Sequence, residues 1–337
     1  MQKHSKHGER LARIVEAFPR IAITVVGDMV ADEFVFGEIS RVSREAPVLI
    51  LKHRERTVLP GGGANAVYNL AGLGVTVLPV GVVGDDEAGR LLLQRFRSRK
   101  IPLSGILKLK GYTTVTKTRI LAGHTHTARQ QVVRVDREPS IGISAEVARR
   151  LAIDAREYAP ASDALLISDY GYGAATPEIL TAVRAKRSVD RLPITLDSRY
   201  RMLQYSGITA ATPNEAEVEQ ALGVRLGEDT ERVKLAGRTL LQRMKLDSLL
   251  ITRGRHGVVS FARGHKPLEI PIYGSDEVTD VTGAGDTVIA AYTAALAAGA
   301  DSESAATIAN YAGGIVVMKR GTATVSQREL LDAIERR

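Results

Sequence analysis

The sequence of 337 residues contains no cysteine. Disulfides, thiolate nucleophiles and cysteine-held zinc or iron–sulfur centres are therefore excluded. Tryptophan is absent too, and with only 5 Phe and 10 Tyr there are few flat rings on which bases could stack. The longest apolar run, 288–300, is alanine-rich, includes Tyr292 and Thr293, and is too short to span a bilayer. The basic stretch 1–18 lacks the apolar segment of about 7–15 residues that a secretory signal needs. There is no internal repeat and no low-complexity segment.

What is present is globular: 44% of residues are hydrophobic, enough for a sizeable core. The net charge is +8, but Lys and Arg are spread along the chain rather than gathered in a block. That pattern reads as a solvated surface that favours small anions, not as a nucleic-acid or membrane face. The expected location is the cytoplasm.

Residues 10–18 predict a lead-in helix, and 21–26 a buried strand closed by Gly27-Asp28. Strand signals at 33–36 and 47–52 follow with no helix between them and predict a small antiparallel sheet. Pro60-Gly-Gly-Gly63 predicts a sharp break before helix 64–73, which Gly74 stops. Strand 75–82 and helix 86–99 come next, then strands 113–120 and 131–135. The turn between that last pair holds His124 and His126, which lack a third ligand at metal spacing and read as turn residues.

From 144 onward strand and helix alternate. Helices are predicted at 144–157, 177–187, 215–222, 230–244, 285–298, 303–317 and 327–335. Strands are predicted at 164–168, 193–196, 208–211, 248–252 and 257–262. Short apolar strands separated by helices mean an α/β fold, a mostly parallel central sheet with helices on both faces. Asp28, Asp169, Asp197, Asn214 and Arg253 stand just past strand ends, on the rim where such folds bind ligands. The strands within about 30–58 and 112–137 do not fit this core and predict a small β-sheet lid over the rim.

One segment carries chemistry. Asp280-Val-Thr-Gly-Ala-Gly-Asp-Thr287 leads straight into a helical run. Gly283 and Gly285 permit a tight turn, and backbone N–H groups of 283–286, including Ala284, would emerge from a helix N-terminus suited to phosphate. Asp286, in the first turn, is placed to take a proton from an attacking hydroxyl. The same pattern also suits an ordinary glycine loop with an acidic cap. There is no GxxxxGK[ST], and no GxGxxG follows the first strand, so neither a P-loop nor a nicotinamide site is expected.

Two stretches together resemble the ribokinase (PfkB-type) carbohydrate kinases over nearly the whole chain. Pro60-Gly-Gly-Gly-Ala-Asn65 resembles that family's sugar-binding glycine pair, and 280–287 its anion hole and base. The nearer resemblance is to the heptose-7-phosphate kinases that form half of a bifunctional ADP-heptose synthesis protein. It is carried by Ser40-Arg-Val-Ser-Arg-Glu-Ala-Pro-Val48, by Ala309-Asn-Tyr-Ala-Gly-Gly-Ile-Val-Val317 and by Gly321-Thr-Ala-Thr-Val-Ser326. The second, nucleotidylyltransferase half has no counterpart, so one ribokinase-like kinase domain over 1–337 is expected.

The resemblance implies an ATP-dependent kinase acting on O1 of D-glycero-β-D-manno-heptose 7-phosphate, with the 1,7-bisphosphate as product. Kinases for other sugars, sugar phosphates and nucleosides carry the same signatures, and the acceptor stays open between them. It implies that Asp32, Gly61, Gly62 and Asn65 bind the sugar. It implies that lid cations hold a phosphorylated acceptor, from among Lys117, Arg119, Arg129 and Arg134. Alternate residues share a strand face, so Lys117 and Arg119 point together. Asn214 and Glu217 imply Mg²⁺ held through water, although the pair also suits a helix cap. Thr252, Arg253, Gly254, Gly257 and Asn310 fall on the nucleotide side. Asp280 and Thr282 match a monovalent-cation loop, which implies K⁺. Related lids pair, so a homodimer is expected.

The chain departs from its nearer relatives at three places. Val30-Ala-Asp-Glu-Phe34 stands where Leu-Asp-Arg-Tyr is usual. Asp169-Tyr-Gly-Tyr-Gly173 and Asp197-Ser-Arg-Tyr200 each lack a rim lysine, with Arg199 or Arg201 as substitutes.

Overall fold

The structure, a computed structural model, describes residues 2–123, 130–186, 192–274, 281–319 and 322–336, with side chains from residue 6. The chain opens with α1 (Gln2–Glu16) and β1 (Ala22–Gly27). Two long strands follow, β2 (Met29–Val42) and β3 (Leu49–Gly62), and α2 (Gly63–Gly72) starts where β3 stops. Next come β4 (Thr76–Gly84), α3 (Glu87–Ser98), β5 (Ile106–Leu109), β6 (Thr116–Gly123) and β7 (Gln130–Arg137). The middle alternates through α4 (Ala145–Tyr158), β8 (Ala164–Asp169), α5 (Pro177–Arg184), β9 (Ile194–Ser198) and β10 (Ala210–Ala211). Then come α6 (Glu215–Leu222), α7 (Thr230–Arg243), β11 (Ser248–Thr252), β12 (Val258–Ala262) and β13 (Leu268–Ile270). The chain closes with α8 (Ala284–Ala297), α9 (Ser302–Val317) and α10 (Gln327–Glu335).

Among the described residues the large sheet has the order β13-β12-β11-β10-β9-β8-β1-β4-β5. Its pairs are parallel from β11 across to β5, while β12 and β13 add antiparallel at one edge. Side chains on a strand alternate between faces. Ile23 and Val25 of β1 therefore join one core layer with Leu70 of α2, Phe96 of α3, Ile289 of α8 and Leu330 of α10. Val26 joins the other, with Leu151 of α4, Val183 of α5, Val218 of α6 and Leu240 of α7. Truncating a fully buried leucine such as Leu151 to alanine would cost about 2–5 kcal/mol. Alanines 290, 291, 294 and 295 of α8 and 305, 306, 309 and 312 of α9 are fully buried, and small side chains let the two helices lie close. Among the described residues no helix is long and apolar enough to cross a membrane.

The small sheet has the order β3-β2-β6-β7. The expectation of an antiparallel arrangement holds for β2 with β3, but β6 joins β2 in parallel. Pro60 does not break β3. It pairs with Ala31, and β3 is an edge strand, where a missing N–H breaks no ladder. Register puts Asp32 beside Lys117, and Arg119 between Phe34 and Arg134, all on one face. On the opposite face Ala31 and Val58 pack with Ala88 of α3, while Arg56 bridges Glu33 and Glu87. The sheet is thereby fixed at its root against α3, with the first face turned to the crevice.

That crevice follows from topology. β1 and β8 are neighbours, yet the chain continues from them to opposite sides of the sheet, which opens a gap beyond their C-terminal ends.

Candidate active site

Asp28, at the end of β1, organises one wall. Its carboxyl accepts the backbone N–H of Tyr170 at 2.8 Å, of Tyr172 at 3.0 Å and of Ala174 at 2.9 Å. Burial pushes its pKa up to about 6. Asp169, next along the rim, is fully occupied: Arg201 Nε and Tyr205 Oη each donate to it at 3.1 Å. Of the two arginines expected to substitute for the rim lysines, Arg201 is thus committed to Asp169, and Arg199 lines the cleft instead.

Asp286 sits in the first turn of α8 and is 4% exposed. Its Oδ1 accepts the Tyr170 hydroxyl at 2.7 Å and its Oδ2 accepts Asn65 Nδ2 at 2.9 Å. Asn65 also donates to the Gly283 carbonyl at 3.3 Å and accepts from Asn69, which in turn accepts the Thr287 hydroxyl. This buried chain ties α2 to the start of α8. Gly283 caps the helix at φ +78, and a Cβ there would come within 2.5 Å of Asn65 Nδ2, so the junction requires glycine. Burial, then the nearby Asp197, push the Asp286 pKa up to about 7, against the lowering pull of Tyr170 and Asn65.

Two cavities meet here. The smaller, 210 Å³, is lined by Asp32, Lys117, Arg119, Tyr170, Arg199 and Asp286, among others. The larger, 670 Å³, runs along Gly254, Gly257, Val288, Asn310, Gly313 and Val317. Asn214, Thr252, Val281 and Gly285 border both.

The residues expected on the sugar side come together. Asp32 is 5% exposed and pairs with Arg119 at 2.5 Å. Gly61 lies against it so closely that a Cβ would come within 2.5 Å of its carboxyl. Gly62 and Thr282 line the smaller cavity. Lys117 is 7% exposed; its ammonium has no hydrogen bond or ion pair among the described residues and sits 5.2 Å from the centre of the Tyr170 ring. Burial and the charges of Arg199 and Arg134 lower its pKa. Arg134 is held by Asp136 through bonds of 2.7 and 2.6 Å. Arg129, Asp280, His124 and His126 lie outside the described residues, as does the predicted end of helix 177–187.

Of the residues expected on the nucleotide side, Thr252, Gly254, Gly257 and Asn310 line the larger cavity, as does Ala284. Arg253 does not. Its guanidinium is buried on Glu215 at 2.7 Å and Thr230 at 3.0 Å, so it braces α6 and α7 rather than facing a ligand. Asn214 and Glu217 form a reciprocal capping box at the start of α6. Glu217 nonetheless borders the smaller cavity with Asp197, and burial raises the pKa of both carboxyls. Tyr170 is the residue that sequence reasoning missed. It appeared only as part of a departure from relatives, with no spacing to mark it.

Solved structures share the fold. Ribokinase of Arabidopsis thaliana, complexed with ribose and ATP, matches with TM-score 0.71 at 20% identity, over 94% of this chain and 99% of that one. Phosphofructokinase-2 of Escherichia coli matches with TM-score 0.75 at 17% identity, over 94% and 99%. Such likeness shows the fold, a ribokinase-like α/β fold. The sequence goes further: the model described as "pfkB family carbohydrate kinase" matches residues 22–329, and the chain belongs to that family. It is an ATP-dependent carbohydrate kinase.

Among curated relatives, the bifunctional protein HldE of Pelobacter propionicus is 39% identical over 311 residues, covering 92% of this chain and 62% of that protein. That of Gluconobacter oxydans is 39% identical over 310 residues, covering 91% and 63%. The chain thus spans less than two thirds of the length of these relatives.

Proposed function

We propose that the chain transfers the γ-phosphoryl of ATP to O1 of D-glycero-β-D-manno-heptose 7-phosphate, in the cytoplasm, on the route to ADP-heptose. In this reading the acceptor occupies the smaller cavity and ATP the larger one. Asp286 takes the proton of the attacking hydroxyl, and the backbone of 283–286 holds the transferring group. Proton transfer and fixed N–H dipoles are what phosphoryl transfer needs from a protein. Asp32, Gly61, Gly62 and Asn65 orient the sugar.

The observation that carries the phosphorylated acceptor is the pair Lys117 and Arg199. Both line the cavity of Asp286, and neither side chain makes an ion pair among the described residues, although the charges of Asp286, Glu217 and Asp197 reach Arg199. A distal phosphate supplies an ion-pair partner, whereas a free sugar does not. The test is kcat/KM with ATP for the heptose 7-phosphate and for the free heptose. At least about a tenfold preference is expected, since one charge-assisted hydrogen bond is enough for that. Lys117→Ala should erode the preference more than it slows the free sugar. Equal kcat/KM for both acceptors moves the assignment to an unphosphorylated sugar or a nucleoside.

Mg²⁺ suits the edge formed by Asn214, Glu217 and Asp197. These are oxygen donors, and burial raises the pKa of both carboxyls. Mg²⁺ usually keeps several waters, so few protein ligands are needed. When bound, the ion neutralises phosphate charge. K⁺ at the loop of Asp280 and Thr282 belongs to the same proposal. So does a homodimer through the small sheet, whose β7 exposes Val133 and Val135 and whose β2–β3 end exposes Val42 and Val48. Light scattering that gives the monomer mass at micromolar concentration would remove it.

A further inference from the structure

Tyr170 belongs to a loop, not to an element, yet three groups of the cleft converge on it. Its hydroxyl donates to Asp286 Oδ1 at 2.7 Å. The Lys117 ammonium and the Arg199 guanidinium lie 5.2 and 4.6 Å from its ring centre, within cation–π range. The loop itself is held by Asp28, through three backbone N–H groups between 170 and 174. A tyrosine needed only to fill space would not require its polar end on the buried carboxyl and its ring under two unpaired cations.

We propose that Tyr170 is a positioning residue for Asp286: its hydroxyl fixes one carboxyl oxygen while its ring aligns Lys117 and Arg199 beside it. This deepens the reading of Asp286 as base and rests on it. With Oδ1 held by Tyr170 and Oδ2 by Asn65, the carboxyl cannot rotate about its own bond, and the remaining lone pairs keep a set direction. Burial and the Asp286 charge keep the Tyr170 pKa well above the usual range for a phenol. The hydroxyl is therefore a constant donor at working pH. The other charges facing Asp286 are Asp32 from β2, Asp197 and Arg199 from the end of β9, and Glu217 from α6.

Two substitutions separate the hydroxyl from the ring. Tyr170→Phe keeps the ring and removes the donor. Its kcat for the heptose 7-phosphate should fall about tenfold with both KM values unchanged. The acidic limb of its kcat–pH profile should move up by about one unit, because a hydrogen bond to the charged form of a carboxyl lowers its pKa. Tyr170→Ala should also raise KM for the phosphorylated acceptor, through loss of the platform under Lys117 and Arg199. If the alanine variant is unstable, the phenylalanine variant alone decides. Wild-type kcat in Y170F, or a fall that is equal at every pH with the acidic limb unmoved, overturns the proposal. Asp286→Asn separates it from the reading beneath. Near-wild-type turnover in D286N overturns the base itself, whereas an inactive D286N beside an unaffected Y170F overturns only the role of Tyr170.

Discussion

The two cavities that meet at the start of α8 are made of different material. The smaller is walled by charge: Asp32, Lys117, Arg119, Asp197, Arg199 and Asp286. The larger is walled mostly by small or apolar residues such as Gly254, Gly257, Val288, Gly313, Gly314 and Val317. A charged wall acts through specific groups, and it keeps carboxyls away from water at a cost in stability. A wall of glycine and valine acts through its shape. Removing one group should therefore cripple the first, and adding bulk should cripple the second.

The largest effect is expected at the charged wall. Asp286→Asn should cut kcat by roughly 10²–10⁴, the usual contribution of a positioned base. Binding of ATP, measured by calorimetry, should be nearly unchanged, and a rate near wild type would break the comparison at its root. At the seam, Gly285 has open space where a Cβ would stand. Gly285→Val should fold normally yet intrude on both cavities, raising KM for ATP by about tenfold or more. Unaltered nucleotide affinity would mean that the larger cavity is not the nucleotide's. Glu217→Gln is expected to raise the Mg²⁺ needed for half-maximal rate by several-fold, and an unchanged Mg²⁺ titration would place the ion elsewhere.

The smallest effect is on stability, and it sharpens the contrast. The Asp286 pKa is raised to about 7 in the fold, above its ordinary value near 4. The folded chain therefore holds a proton that the unfolded chain has already released across that window. Its contribution is fully present below about pH 4 and is lost as pH rises through about 7. D286N, which is neutral throughout, should thus be more stable than wild type at pH 8 by on the order of 1 kcal/mol. The gap should close toward pH 4. Thermal denaturation at the two pH values checks this, and a gap that does not vary with pH would mean that the carboxyl carries no such burden.

Much of this was legible in residues 280–287 and 60–65, because a glycine turn leading into a helix N-terminus is written in consecutive residues. The bounds of α6, α10 and β11 coincide with their sequence readings, since capping residues and apolar runs mark them locally. The four-residue β5 and three-residue β13 were missed because so short an edge strand leaves no period to read. β2 and β3 were read as fragments. Their outer halves are exposed and rich in charge, from Arg41 to Arg56, so burial imposes no alternation there. Arg199 and Arg201 were indistinguishable in sequence. Two residues apart just past β9, they part company because Asp169 captures one of them. Tyr170 was invisible for a related reason: its position depends on a loop that Asp28 shapes from 142 residues away in the chain.

The 14-residue strands β2 and β3 form a ribbon about 45 Å long. One end is rooted in the crevice, and the other, from Arg41 to Arg56, is mostly exposed. The ladder between the strands slips twice, between Phe36 and Gly37 and between Ile39 and Arg41. Asp32 and its neighbour Lys117 lie on the root side of both slips. A lever bends where its rungs are broken. The outer part can therefore change sequence, or be loaded, fused or cross-linked, with the strain taken up at those two joints. The root keeps its register, and the cleft is insulated from the fate of its own handle.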